Sequence, residues 1–239
     1  MRSVPTTTEA ILPVVRLFDA EQWPILAAKQ ISEAISFTLQ HEKRCNVMLT
    51  GGRSAEQLYD AWALLPEFQQ MTGVSFFFSD ERNVPPDHPA SNYGMTLRTL
   101  FPRGVPKDCS IFRMDGEDPD RDAAASRYGE ILPESIDVLL LGVGEDGHIA
   151  SLFPASAALH DSTHRVVPVT GSKPPMQRLS IGPRVIARAK MIFVLANGSR
   201  KAEVLARAQL DRGNIEALPA RLVLHATWLM DRDVTQDHQ

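Results

Sequence analysis

The residues best suited to chemistry lie in four short stretches. The first is Leu141-Gly142-Val143-Gly144-Glu145-Asp146-Gly147-His148. Its glycines allow a sharp turn that presents His148, with Asp146 two residues away, beyond the end of an apolar strand. Imidazoles as a class titrate near neutral pH, which suits a general base, and a carboxylate (Asp146, or Asp80 from elsewhere) can fix the tautomer. The stretch also has the spacing G-x-G-x-x-G of a dinucleotide loop. Two features weigh against that use. Glu145 and Asp146 would repel a pyrophosphate, and no acidic residue ends a strand about 20 residues later to hold a ribose. A lone histidine is more often structural, but a glycine-rich loop at a strand end places this one better than most.

The second stretch, Ser79-Asp80-Glu81-Arg82-Asn83-Val84-Pro85, sets three ionisable residues after an apolar strand. It reads either as a solvated loop with an internal ion pair or as part of a site, with Arg82 a donor toward a developing oxyanion. The third, Thr50-Gly51-Gly52-Arg53-Ser54, is a strand-to-helix turn whose glycines admit close backbone approach and whose helix start offers free N–H groups to an anion. A glycine turn capped by Ser54 is also an ordinary connection. The fourth combines Lys173-Pro174-Pro175-Met176-Gln177-Arg178 with Gly198-Ser199-Arg200-Lys201, a proline-fixed loop and a helix start whose cations suit a phosphate or simply face solvent. There is no G-x-S-x-G elbow, Walker loop, H-E-x-x-H pair or cysteine–histidine signature. Metal-free general acid–base chemistry without a cofactor is therefore expected.

These stretches need elements to hold them. Short apolar runs alternate with amphipathic segments. Strands are expected at residues 13–18, 46–50, 74–78, 136–141, 166–169, 179–181 and 191–196, with a last edge strand at 226–230. Helices are expected from Asp19 as N-cap, though Pro24 argues for a later start, and at residues 54–65, from Ser91 to 100, from Asp118 to 132, and at 199–210. Residues 136–141, apolar at nearly every position and followed by glycines, suit a central strand covered on both faces. The alternation predicts a doubly wound α/β fold, Rossmann-like, with a mostly parallel sheet, helices on both faces and one domain over residues 1–239. In such sheets ligands sit beyond the carboxyl ends of the strands, where the polar clusters fall.

Composition narrows the partners. With 239 residues, 44% hydrophobic and 23% charged, the chain can bury a core without staples. A net charge of −4 with no basic stripe argues against nucleic acid. Cys45 and Cys109 match no metal or redox spacing, residues 1–10 hold no signal-peptide core, and no run of about 18 apolar residues occurs, so a cytoplasmic protein without membrane contact is expected. Nothing in the composition sets the oligomeric state, and a monomer is compatible with it.

Taken in order, LTGGRS, SDERNVP with SNYGMTLRTLF, DVLLLGVGEDGHIASLFP, KPPMQRLSIGP and GSRKAEVL resemble the 6-phosphogluconolactonase family over residues 49–205. The resemblance implies a fold related to ribose-5-phosphate isomerase and glucosamine-6-phosphate deaminase, and hydrolysis of a sugar-phosphate lactone in the pentose phosphate pathway. It also implies Arg178 and Lys201 as phosphate ligands and His148 near the lactone carbonyl. One departure is Arg53, where the family usually continues G-G-S-T; Ser54 and the loop amides remain suited to the phosphate. The related deaminase-isomerases continue their histidine loop with F-N-E-P, whereas this chain has Ser151-Leu152-Phe153-Pro154 and no carboxylate until Asp161. A binding module that kept the pocket without activity is the non-enzyme alternative.

Overall fold

In a computed structural model, residues 13–198, 201–210 and 214–232 are described. The expectations for residues 1–10 and for Ser199 and Arg200 fall outside them. Seven strands form a wholly parallel sheet: β1 (Val14–Phe18), β2 (Cys45–Leu49), β3 (Val74–Phe78), β5 (Ser110–Ile111), β6 (Val138–Gly142), β9 (Met191–Ala196) and β10 (Thr227–Asp231), in the order β1-β10-β9-β6-β2-β3-β5. From the β2/β6 pair the chain winds outward both ways, to β3 and β5 on one side and to β9 and β10 on the other. Alternate side chains of these strands feed two cores. Met48, Leu139, Leu141, Val194 and Trp228 face one, and Val47, Leu49, Leu140, Leu195 and Leu229 the other. This two-sided burial explains why the strands read as continuous apolar runs.

Helices α1 (Trp23–His41), α2 (Arg53–Trp62), α3 (Pro66–Gln69) and α4 (Asn92–Thr99) cover the second core. Helices α5 (Arg121–Ile131), α6 (Pro183–Ala187) and α7 (Ala202–Leu210) cover the first. Helix α1 begins at Trp23 despite Pro24, because a proline in the first turn replaces an N–H that lacks an intrahelical partner anyway. Its N-cap is Gln22 rather than Asp19, whose main-chain carbonyl instead accepts from the amides of Gln22 and Trp23. The strand expected at the edge is internal: β10 lies between β1 and β9 with Trp228, Leu229 and Met230 fully buried, and the edge belongs to β1, where Val14, Val15 and Leu17 are exposed.

A second, antiparallel sheet joins β4 (Asp80–Arg82), β8 (Gln177–Ile181) and β7 (Val166–Thr170). Ser79 links the two sheets: its amide donates to Leu49 O at 2.8 Å, and its carbonyl accepts from the amide of Ile181 at 2.9 Å. The ionisable run after β3 is thus a largely buried strand, not a solvated loop, and among the described residues Glu81 makes no ion pair. Its carboxylate accepts from the amides of Arg82 (2.7 Å), Asn92 (2.7 Å) and Tyr93 (2.8 Å) and from Ser91 Oγ (3.0 Å). Burial pushes the Glu81 carboxyl up, and these hydrogen bonds oppose that shift. Ser91 in turn caps α4, its side chain accepting from the amide of Gly94.

Glu81→Gln keeps one acceptor oxygen but turns an N–H donor toward groups that themselves donate. Each buried donor left without an acceptor costs about 1–3 kcal/mol. Urea denaturation should therefore show a loss of at least that size, with an unchanged slope.

Candidate functional site

The carboxyl ends of β2 and β6 separate where the winding reverses, as expected at a switch point of an α/β sheet. Tyr59 fixes the end of β2, its hydroxyl accepting from the amide of Thr50 (3.0 Å) and donating to Thr50 O (2.9 Å). A cleft of about 1010 Å3 opens beyond these ends. Gly51, Gly52, Arg53, Ser54, Asp80, Arg82, His148, Arg178 and Lys201 all line it; Asp146 does not. Asp146 is nevertheless joined to the site through His148, whose Nδ1 lies 2.5 Å from Asp146 Oδ1. Partial burial works against ionisation of Asp146, but the hydrogen bond and the charge of His148 outweigh it and hold the carboxyl at about 2. Asp80 does not reach the imidazole. Its Oδ2 accepts from Ser151 Oγ at 2.6 Å and its Oδ1 from Asn92 Nδ2 at 3.1 Å.

The loop after β6 is shaped by close backbone approach. The Gly144 amide donates to His148 O at 2.8 Å, and a Cβ at Gly144 would sit 2.1 Å from His148 Nδ1 and 2.5 Å from Asp146 Oδ1. Ala150 adopts φ 48°, a conformation that costs a non-glycine residue about 1–3 kcal/mol, just before Ser151 meets Asp80. Phe153 backs the site: its ring centroid lies 4.7 Å from that of His148 and 5.3 Å from Arg178 Cζ.

Arg178 belongs to β8 rather than to the proline loop before it. Its register partner across the ladder is Arg82, so the two guanidiniums share one face of the small sheet. Arg178 is buried, which lowers its pKa, with Asp80 opposing that shift and Arg82 adding to it. Its Nε donates to Pro175 O and its Nη2 to Lys173 O, orienting the fork. Lys201 Nζ donates to Val143 O at 2.6 Å, which ties the start of α7 to the histidine loop. Helix α2 starts at Arg53, not Ser54, with Gly52 as N-cap and no side-chain cap; Ser54 Oγ bonds instead to Asn197 Oδ1.

Sequence reasoning missed Ser151, Asn92 and Asn197. They are neutral and lack a loop signature of their own; only their pairing with Asp80 and Ser54 marks them. Among the described residues no group of three His, Cys, Asp or Glu is arranged to hold a metal ion, and no helix is long and apolar enough to cross a membrane.

A parallel α/β sheet with a polar cleft at its switch point, carrying a carboxylate–imidazole pair beside several cations, defines a class of enzymes that act on small anionic substrates. The chain belongs to the glucosamine-6-phosphate isomerase/6-phosphogluconolactonase family, whose model matches residues 19–230. It is 33% identical to a 6-phosphogluconolactonase of Pseudomonas putida over 223 residues, 90% of each chain. With a 6-phosphogluconolactonase of Mycobacterium tuberculosis the identity is 32%, over 87% of this chain and 90% of that one. Among solved structures, a 6-phosphogluconolactonase of Trypanosoma brucei matches with a TM-score of 0.83 and 25% identity, covering 95% of this chain and 98% of that one. A monomeric glucosamine-6-phosphate deaminase shares the fold at a TM-score of 0.78 and 23% identity, over 93% and 98%.

Gly144→Ala should separate His148 from Asp146. The hydrogen-bonded Nδ1 proton of His148, visible by NMR in the parent protein, should vanish while the circular dichroism spectrum stays unchanged.

Proposed function

We propose that the chain hydrolyses 6-phospho-D-glucono-1,5-lactone to 6-phospho-D-gluconate, the lactonase step of the pentose phosphate pathway, with His148 as general base. The observation that carries this reading is the environment of His148, which has a carboxylate on Nδ1 and an apolar ring behind it. With Nδ1–H donated to Asp146, Nε2 is the basic nitrogen left to take a proton from water. The hydroxide equivalent adds to the lactone carbonyl carbon. The oxyanion that forms is met by Arg82 or by amides of the glycine loops, and on its collapse the ring C–O bond breaks. The imidazolium returns its proton to the departing ring oxygen, so the base is regenerated. A lactone ester is reactive enough that no covalent nucleophile is needed, and one positioned base supplies about 10²–10⁴-fold.

Arg178 and Lys201, with the uncapped start of α2 at Gly52 to Ser54, are the proposed phosphate ligands. A helix N-terminus offers free amides and a favourable dipole to an anion. The deaminase reading is less favoured because Phe153 stands where the F-N-E-P continuation would place its glutamate, and its ring packs on His148. The family names and the Pseudomonas and Trypanosoma relatives support the lactone as substrate.

His148→Asn should lower kcat by about 10²–10⁴-fold at unchanged melting temperature; near-parental turnover on fresh lactone would remove the general-base assignment. The phosphate itself does not react, so its contacts act about equally on ground and transition states. Losing one charge-assisted hydrogen bond, roughly 1.5–3 kcal/mol, should raise KM about ten- to a hundred-fold. Arg178→Ala and Lys201→Ala should each do so on the phosphorylated lactone and leave hydrolysis of unphosphorylated gluconolactone little changed. Equal losses on both lactones would place these residues in the chemistry or the fold instead.

A further inference from the structure

Beside the main cleft lies a second groove of about 340 Å3, whose lining includes Gly52, Arg53, Glu56, Arg82 and Arg98; Gly52, Arg53 and Arg82 are walls of both. Three arginines thus line one concavity from three elements: Arg53 at the start of α2, Arg82 on β4 and Arg98 in the last turn of α4. Among the described residues none of the three forms an ion pair. Arg82 donates through Nη1 to Ala90 O, and its Nε is buried without a partner. Glu56, the groove's carboxylate, lies outside ion-pair distance of all three.

Three cations gathered with no carboxylate in ion-pair contact repel one another. The repulsion weakens as each is hydrated, but it becomes attraction once an anion sits between them. Arginine forks match a tetrahedral phosphoryl group in geometry as well as charge.

We propose that this groove is a second phosphate-binding site, separate from the Arg178–Lys201 position and joined to it through the Gly52–Arg53 wall. Its ligand is either free phosphate or the second phosphoryl group of a sugar bisphosphate whose first occupies the main cleft. In the second case the enzyme is inhibited by bisphosphorylated sugars more strongly than by monophosphates. The bisphosphate case rests on the proposed phosphate position in the main cleft, whereas binding of free phosphate to the groove does not.

Calorimetric titration with inorganic phosphate, glucose 1,6-bisphosphate and 6-phosphogluconate tests it on the parent protein and on Arg98→Ala and Lys201→Ala. Arg98 is exposed and lies outside the main cleft, so Arg98→Ala should keep the parental melting temperature and lactonase kcat. Phosphate should fill two sites on the parent protein. In Arg98→Ala one of them should weaken about ten- to a hundred-fold, while 6-phosphogluconate binds as before. Arg98→Lys, which keeps the charge, should restore part of the loss. If glucose 1,6-bisphosphate binds more tightly than 6-phosphogluconate and loses that advantage in Arg98→Ala, the ligand is a sugar bisphosphate. If inorganic phosphate alone responds to Arg98→Ala, the ligand is free phosphate. A single phosphate site that Lys201→Ala abolishes and Arg98→Ala leaves untouched overturns the proposal, whether or not the lactone is hydrolysed.

Discussion

The carboxylate of Glu81 accepts four hydrogen bonds in the interior, and much of the site's geometry follows from that arrangement. A buried charge is costly unless such donors surround it. Here they come from β4 itself and from the first turn of α4, so the carboxylate fixes the helix against the small sheet. Because side chains alternate along a strand, turning Glu81 inward sends its neighbours Asp80 and Arg82 to the opposite face, where both line the cleft. The chain's departure from the large sheet at Ser79 makes this possible, since a strand continuing in that sheet would have buried Asp80 and Arg82 against a core.

Electrostatics divides the cleft into zones. His148 and Asp146 form a hydrogen-bonded pair held by a glycine loop with no room for a Cβ at residue 144. Arg82 and Arg178 stand opposite each other across a ladder, an arrangement that disfavours folding by like-charge repulsion. Asp80 moderates it, and the main-chain carbonyls of residues 90, 173 and 175 take part of the donor capacity. In the proposed reading, a phosphorylated substrate supplies the anion that offsets this repulsion. Phe153 joins the zones, packing one ring against both the imidazole and Arg178.

Much of the sheet was legible because its strands are buried on both faces and so read as uninterrupted apolar runs. The site was legible where glycine or charge interrupts those runs, at Gly51, Gly144 and Asp80. Arg178 was misplaced into a loop because the prolines before it dominate the local pattern, although β8 already begins at Gln177. Strand β10 was read as an edge because it comes last in the chain, and chain order carries no information about order in a parallel sheet.

By itself the sequence determined the α/β class, the loop that carries His148 and Asp146, and the family, because period, glycine placement and loop motifs are local properties of a few consecutive residues. Only the tertiary structure decided that Asp146 rather than Asp80 holds the imidazole, that Ser151 and Asn92 hold Asp80, and that Arg53, Arg82 and Arg98 face one groove. Those pairings join residues up to 71 positions apart. They are set by which strand ends meet at the switch point and by which way a buried carboxylate turns its strand, and neither is written in any short stretch of residues.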